Sequence, residues 1–344
     1  MTNFHIPYRT RRLLQQSAIV LLVATLIAAL VFFCWFVWLK RYVVYTRDQG
    51  AVLDMQLSAQ IPEGNVAVPP EKKDPINIYY NEGENAINTS KELTHIVGYY
   101  ADTKALEAGV NQVLQQALAL PSGTPVMLDV KSGKGNFYYS SAVAAHRHKK
   151  IDPLAMDDLI RQLSDKGVYL IARLPAFRDY QYGLIHDEDG LFVESGRYLW
   201  ADEGYCYWLN PTRQGTLAYL VQIVTELRNL GFDEVVFEEF RFPDTNKIKF
   251  TKDKTEAITN AANMLVSTCS TDSFAVSFVG TGPTFPLPAG RSRLYLTNSS
   301  AADAATLAQQ TGLENTAVRL VFLTENHDTR FDAYSVLRPL EGAH

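Results

Sequence analysis

The chain has 344 residues, 47% of them hydrophobic, with 18 Tyr, 17 Phe and 4 Trp, which supplies a full-sized core and excludes a disordered polypeptide. The formal charge is -5, but five bases (Arg9, Arg11, Arg12, Lys40 and Arg41) precede residue 42, so the remainder carries 27 bases against 37 acids. A folded part that acidic is a poor partner for a phosphate backbone, and no nucleic-acid role is expected.

In chain order, the first predicted element is residues 17–39, SAIVLLVATLIAALVFFCWFVWL, 23 residues without a charge. That length crosses a bilayer core of about 30 Å. Trp35 and Trp38 suit the interface, and Lys40 and Arg41 can snorkel. A cleaved signal peptide is the competing reading, although its apolar region runs about 7 to 15 residues and ends at small residues, whereas this one ends in WFVWLKR. A cytoplasmic tail over 1–16, a membrane helix over 17–39 and an extracytoplasmic remainder are therefore expected, with three arginines ahead of the span and a large acidic part after it. Residues 40–90, rich in Pro and Asn, read as a stalk. Of the three cysteines, Cys34 lies in the span, and Cys206 and Cys269 are either bridged in an oxidising compartment or two separate thiols.

From residue 91 to 344 short apolar runs alternate with amphipathic helices, the pattern of parallel strands with helical crossovers. The strands are HIVGYY (95–100), PVMLDVK (125–131), VYLIARL (168–174), DEVVFEEF (233–240), FAVSFVG (274–280), RLYLT (293–297) and RLVFLT (319–324), with a weaker eighth at AYSVL (333–337). The first helix places Leu106, Val110, Val113, Leu114 and Leu118 on one face, and the second has Pro153 in its first turn and Gly167 past its end. This part matches the usual size of a (β/α)8 TIM-like barrel, about 250 residues, while an open doubly wound sheet fits the same alternation.

No G-x-S-x-G, H-E-x-x-H or C-x-x-C is present, and GTG at 280–282 is too short for a dinucleotide fingerprint. HRHKK (146–150) reads as a solvated loop rather than a metal site, so neither a metal nor a cofactor is expected. In a barrel, polar residues that interrupt strands near their C-terminal ends face the mouth. Alternation puts Asp129 and Lys131 opposite the apolar set Val126, Leu128 and Val130, and puts Arg173 with Tyr169 and Ile171. Glu238 shares a side with Val236, Glu239 with Arg241, so one glutamate alone faces the axis while the strand is regular. The plain alternative is a set of exposed same-face ion pairs worth little.

Four ordered segments, VMLDVKSGKGNFYY, VYLIARLPAFRD, YWLNP and FDEVVFEEFRFP, resemble a bacterial glycoside-hydrolase family with a TIM-barrel fold, whose activity is itself largely inferred. That family shows D-V-K-x-x-x-G-x-x-x-Y, I-A-R-x-x-x-F-x-D, W-x-D-P and G-F-D-E-hydrophobic-x-F-D-Y-hydrophobic-R-F-P. The resemblance places the family's strand aspartate on Glu238, its tyrosine on Glu239 and its arginine on Arg241, with Asp129, Lys131, Arg173 and Asp179 matching directly. It departs from the pattern at Glu238, Glu239 and Asn210, and YLTNSS or FLTENHD stands where a YPSHY-like strand end is expected.

Glycosidic cleavage needs one carboxylic acid and a second carboxylate. Glu238 is the expected acid, Asp129 the partner, Glu239 a further candidate and Glu325 a reserve. Lys131, Arg173, Asp179, Trp200 and Arg241 are expected to hold substrate, with Trp208 packing its loop. The expected function is a membrane-anchored glycoside hydrolase acting on a cell-envelope polysaccharide. The alternative is an inactive barrel that binds glycan or serves as a scaffold.

Overall fold

Strands that are apolar on both faces must be covered twice, by helices outside and by one another across an axis. In the computed structural model the eight runs do this by closing into a parallel barrel in which each strand pairs with the next and the eighth returns to the first. The strands are β1 (Val97–Ala101), β2 (Val126–Asp129), β3 (Leu170–Pro175), β4 (Glu234–Glu238), β5 (Ala275–Val279), β6 (Leu294–Thr297), β7 (Leu320–Leu323) and β8 (Ser335–Pro339). The open doubly wound sheet is excluded.

The structure describes residues 92–340 except 144, 145 and 281, together with 43–46, 50–53 and isolated positions between 25 and 35. The chain divides into units 1–82 and 83–344. In the first, Val43–Thr46 pairs antiparallel with Gly50–Leu53, a hairpin inside what the sequence presents as a plain stalk. Most of the expected membrane span lies outside the described residues, and among those described no helix is long and apolar enough to cross a membrane.

The outer layer is built from α1 (Thr103–Ala119), α2 (Pro153–Asp165), α3 (Tyr180–Ile185), α4 (Gln214–Asn229), α5 (Lys254–Cys269), α6 (Ala304–Thr311) and α7 (Thr316–Arg319). Aspartates start several of them: Asp102, Asp152, Asp179 and Asp253 each accept a backbone N–H of the first turn. Helix α1 buries Leu106, Val110, Val113, Leu114 and Ala117, while Leu118 stays half-buried. Outward-facing Leu128, Ala172, Val235, Phe237, Val276 and Phe278 join the helices in the main core.

The axis is layered. Met127, Ile171, Val236, Val321 and Leu337 fill its middle, each worth about 1.5–3 kcal/mol if fully buried. Below them, at the N-terminal end of β4, Glu234 is fully buried. It pairs with Arg293 and accepts hydrogen bonds from Tyr169 OH (3.0 Å), Tyr295 OH (3.0 Å) and Ser277 Oγ (2.5 Å). Arg293 also donates to the carbonyls of Val318 (3.1 Å) and Thr94 (2.9 Å), so the floor is a closed polar plug.

Candidate active site

The period of two along a strand carries the inward side from Glu234 through Val236 to Glu238, and from Ile171 to Arg173 and Met127 to Asp129. Three side chains from adjacent strands therefore meet at the C-terminal rim. Arg173 Nε donates to Asp129 Oδ1 at 2.6 Å, and Arg173 Nη1 lies 3.3 Å from Glu238 Oε1. Asp129 Oδ2 accepts from Thr103 N (2.7 Å) and Thr103 Oγ1 (2.8 Å). Since that hydroxyl proton is committed, Tyr138 OH must be the donor in its 2.9 Å hydrogen bond with Thr103 Oγ1. Burial pushes the Tyr138 phenol up to about 12, with Thr103 opposing, which keeps that proton in place.

The two rim carboxylates differ. Asp129 is 13% exposed, with both oxygens occupied, whereas Glu238 is 33% exposed, and Arg173 is the neighbour it is paired with. Burial raises the Glu238 carboxyl above the ordinary value, Arg173 opposes this, and Asp129 and Glu239 add to the rise. Tyr100, from β1, stacks against the Arg173 guanidinium at 5.8 Å. Its phenol is pushed up by burial, opposed by Arg173 and assisted by Glu325, Asp102 and Asp129. Glu325 therefore stands in electrostatic reach of the rim from the end of β7.

The other expected site residues go elsewhere. Because β2 ends at Asp129, alternation does not carry Lys131 to the mouth. It pairs instead with Asp179 at 2.8 Å, both side chains 0% exposed, and donates to the Pro175 carbonyl at 3.2 Å. Asp179 also accepts from Tyr219 OH (2.9 Å) and caps α3 through Tyr182 N (2.9 Å). Gly135 turns there with φ +80°, where a Cβ would sit 2.2 Å from Asp179 Oδ1. In this geometry Lys131 and Asp179 are buried and brace the loops. Glu239 leaves the strand in a left-handed conformation, φ +47°, and pairs with Arg241 at 2.8 Å. Arg241 lies 5.1 Å over the Trp208 ring, and Trp208 Nε1 donates to Asp202 Oδ2 at 3.1 Å. Asp202, paired with Arg178 at 2.5 Å, would be raised by burial but is held down to about 2 by hydrogen bonds from Arg178, the Cys206 amide and Trp208. Trp208 is buried, and Trp200 is half-buried against it at 6.4 Å.

Cys206 and Cys269 are separate buried thiols. His148 and Lys150 both turn to Glu107, at 3.3 and 2.7 Å, and among the described residues no cluster of three or more His, Cys, Asp or Glu is placed to hold a metal. Sequence reasoning passed over Tyr100, Thr103 and Tyr138. The Asp102–Thr103 helix start directly after β1 could have pointed to Thr103, but Tyr138 arrives from an irregular loop with no periodic signal.

The spacing that assembles this rim runs from β1 through β4 and on into α5, and a family model described as "Putative glycosyl hydrolase domain" matches residues 99–272, just over half of the chain. The chain belongs to that family. Among solved structures, a hypothetical protein from Ruminiclostridium thermocellum is 22% identical, covering 53% of this chain and 96% of its own, with a TM-score of 0.45. An exo-β-N-acetylglucosaminidase from Vibrio harveyi (8% identity, TM-score 0.50) covers 71% of this chain and 50% of its own. An α-galactosidase from Geobacillus stearothermophilus (11% identity, TM-score 0.50) covers 71% and 39%. At such identities the two enzymes share the barrel alone, and the chain spans half or less of their length. A comparison with curated proteins finds no match. Within the matched residues, β3 carries Arg173 and β4 carries Glu238 at the rim.

Proposed function

We propose that the rim cleaves glycosidic bonds in a polysaccharide, with Glu238 as the general acid. The observation that supports this is a carboxyl raised by burial yet a third open to solvent, at the C-terminal end of a barrel strand. Glu238 gives its proton to the leaving oxygen. The carboxylate that forms faces the Arg173 guanidinium, fixed in advance by Asp129 and, behind it, Thr103 and Tyr138. Asp129 is engaged on both oxygens and serves as the positioning group for Arg173. Glu325 forms no hydrogen bond or ion pair among the described residues and lines an open hollow with Asn326 and His327, so we assign it the second carboxylate. Its separation from Glu238 in a substrate complex decides between direct attack, near 5–5.5 Å, and water activation, near 6.5–9.5 Å.

Tyr198 and Tyr205, 73% and 79% exposed on the loop that also carries Trp200, offer faces for sugar rings. The uncharged stretch 17–39 tethers the domain to a membrane in this reading, with the barrel outside and the cell envelope within reach. Release of reducing ends from a panel of wall and capsule polysaccharides by the full chain tests it. Glu325→Gln is expected to lower kcat by about 10²–10⁴. A variant as fast as the parent removes Glu325 from the role, and no new ends from any glycan removes the hydrolase reading.

A further inference from the structure

Two segments that follow β3 and β4 on the mouth side of the barrel line an open hollow of about 450 Å³. Arg213, Lys249 and Lys252 line it, and none of its lining residues is a carboxylate. Of the acids close in sequence, Asp253 accepts from Glu256 N at 2.7 Å and Asp189 from Tyr182 OH at 2.9 Å, while Glu194, two residues from both Phe192 and Gly196, is exposed and is not among the lining residues. Three cations around one hollow repel one another, and in a part of the chain with 27 bases against 37 acids they are not a sample of a generally basic surface. Phe192 and Phe250 add an apolar wall. Lys249 lies against the backbone at Gly196, where a Cβ would stand 3.1 Å from Nζ. The volume falls in the roughly 300–1,000 Å³ range of small-molecule sites and exceeds what a bare ion requires.

We propose that this hollow binds a sugar unit bearing an oxyanion, a sulfate, phosphate or carboxylate, so that the domain selects an anionic polysaccharide. The sugar part of this inference rests on the glycan reading above, whereas the charge selectivity stands on the three cations. The guanidinium and the two ammonium groups donate charge-assisted hydrogen bonds to the oxyanion, and the aromatic wall meets the ring.

Calorimetric binding of the full chain to dextran, dextran sulfate and polygalacturonate of matched length tests it without any need for cleavage. One or both charged polymers are expected to bind at least about tenfold tighter than dextran, the scale of a charge-assisted hydrogen bond, and to weaken as salt is raised. Arg213→Gln, Lys249→Gln and Lys252→Gln are each expected to lose about tenfold, while Lys104→Gln on α1 loses nothing. Equal binding of dextran and both charged polymers, or equal loss in Lys104→Gln, overturns the proposal. So does inorganic phosphate displacing the polymer at equal concentration of charged groups, because the sugar then contributes nothing. Charge-selective binding by a chain that hydrolyses nothing keeps this site and removes the enzyme, and cleavage of neutral glycans alone does the reverse.

Discussion

Glu234 and Glu238 stand four residues apart on the same inward side of β4, one in the floor and one at the rim, and the same substitution in each should have opposite consequences. Glu234→Gln removes the charge that faces Arg293 while keeping the volume. One amide oxygen can still accept from Tyr169 or Arg293, and the amide nitrogen can donate to Tyr295, but Arg293 is left as a buried cation without its counter-ion. Breaking a buried pair from one side costs about 3–5 kcal/mol. For a domain of this size that corresponds to roughly 6–20 °C in Tm, measured by thermal denaturation followed by circular dichroism. The folded fraction should retain its kcat, since no group of the floor reaches the rim. Removing both charges, in Glu234→Leu with Arg293→Met, should recover much of the loss. A Glu234→Gln protein melting within 2 °C of the parent, or one folded but slow, would refute the division into floor and rim.

Three further outcomes follow from the rim and the loops. As a general acid, Glu238 is active while protonated, so kcat falls as pH rises through its raised pKa. Asp129→Asn removes a charge that raises this pKa and should move the falling limb to lower pH, whereas Arg173→Gln removes the opposing charge and should move it to higher pH. Shifts in the same direction contradict the assignment. Lys131→Met leaves Asp179 buried and unpaired and should cost about 3–5 kcal/mol in urea denaturation with KM unchanged. A raised KM at full stability would return Lys131 to substrate binding. Thr103→Val takes the hydroxyl from Asp129 but leaves the backbone donor, so kcat should fall several-fold with the protein still folded, in a stopped assay of reducing ends.

The barrel was legible because its strands keep their period of two wherever the ladder is regular, from Val126 to Asp129 and from Glu234 to Glu238. The convergence of Asp129, Arg173 and Glu238 follows from that period and the parallel register, which sets Asp129 beside Arg173 and Pro175 beside Glu238. Legibility stopped where the ladder stops. Lys131 lies two residues past the end of β2 and Glu239 one past β4, so loop and turn geometry, not alternation, decides where they point. The sequence shows one outward and one inward glutamate at 238 and 239, but the burial of Val236 in the barrel identifies which is which. Tyr138 and the Glu234–Arg293 plug depend on contacts between residues 35 and 59 positions apart, a distance no local pattern encodes. The crossover between β5 and β6, with Pro283, Pro286 and Pro288, carries no helix among the described residues, so the strand-helix alternation is broken there.

The central claim is that the rim carboxyl of β4 supplies the proton. Turnover and melting temperature of Glu238→Gln, measured side by side with the parent on a polysaccharide the parent cleaves, test it most directly. The account predicts kcat lower by about 10²–10⁴ at an unchanged Tm, because a partly exposed side chain leaves the core intact when it loses its charge. A Glu238→Gln protein that turns over at the parent's rate contradicts it.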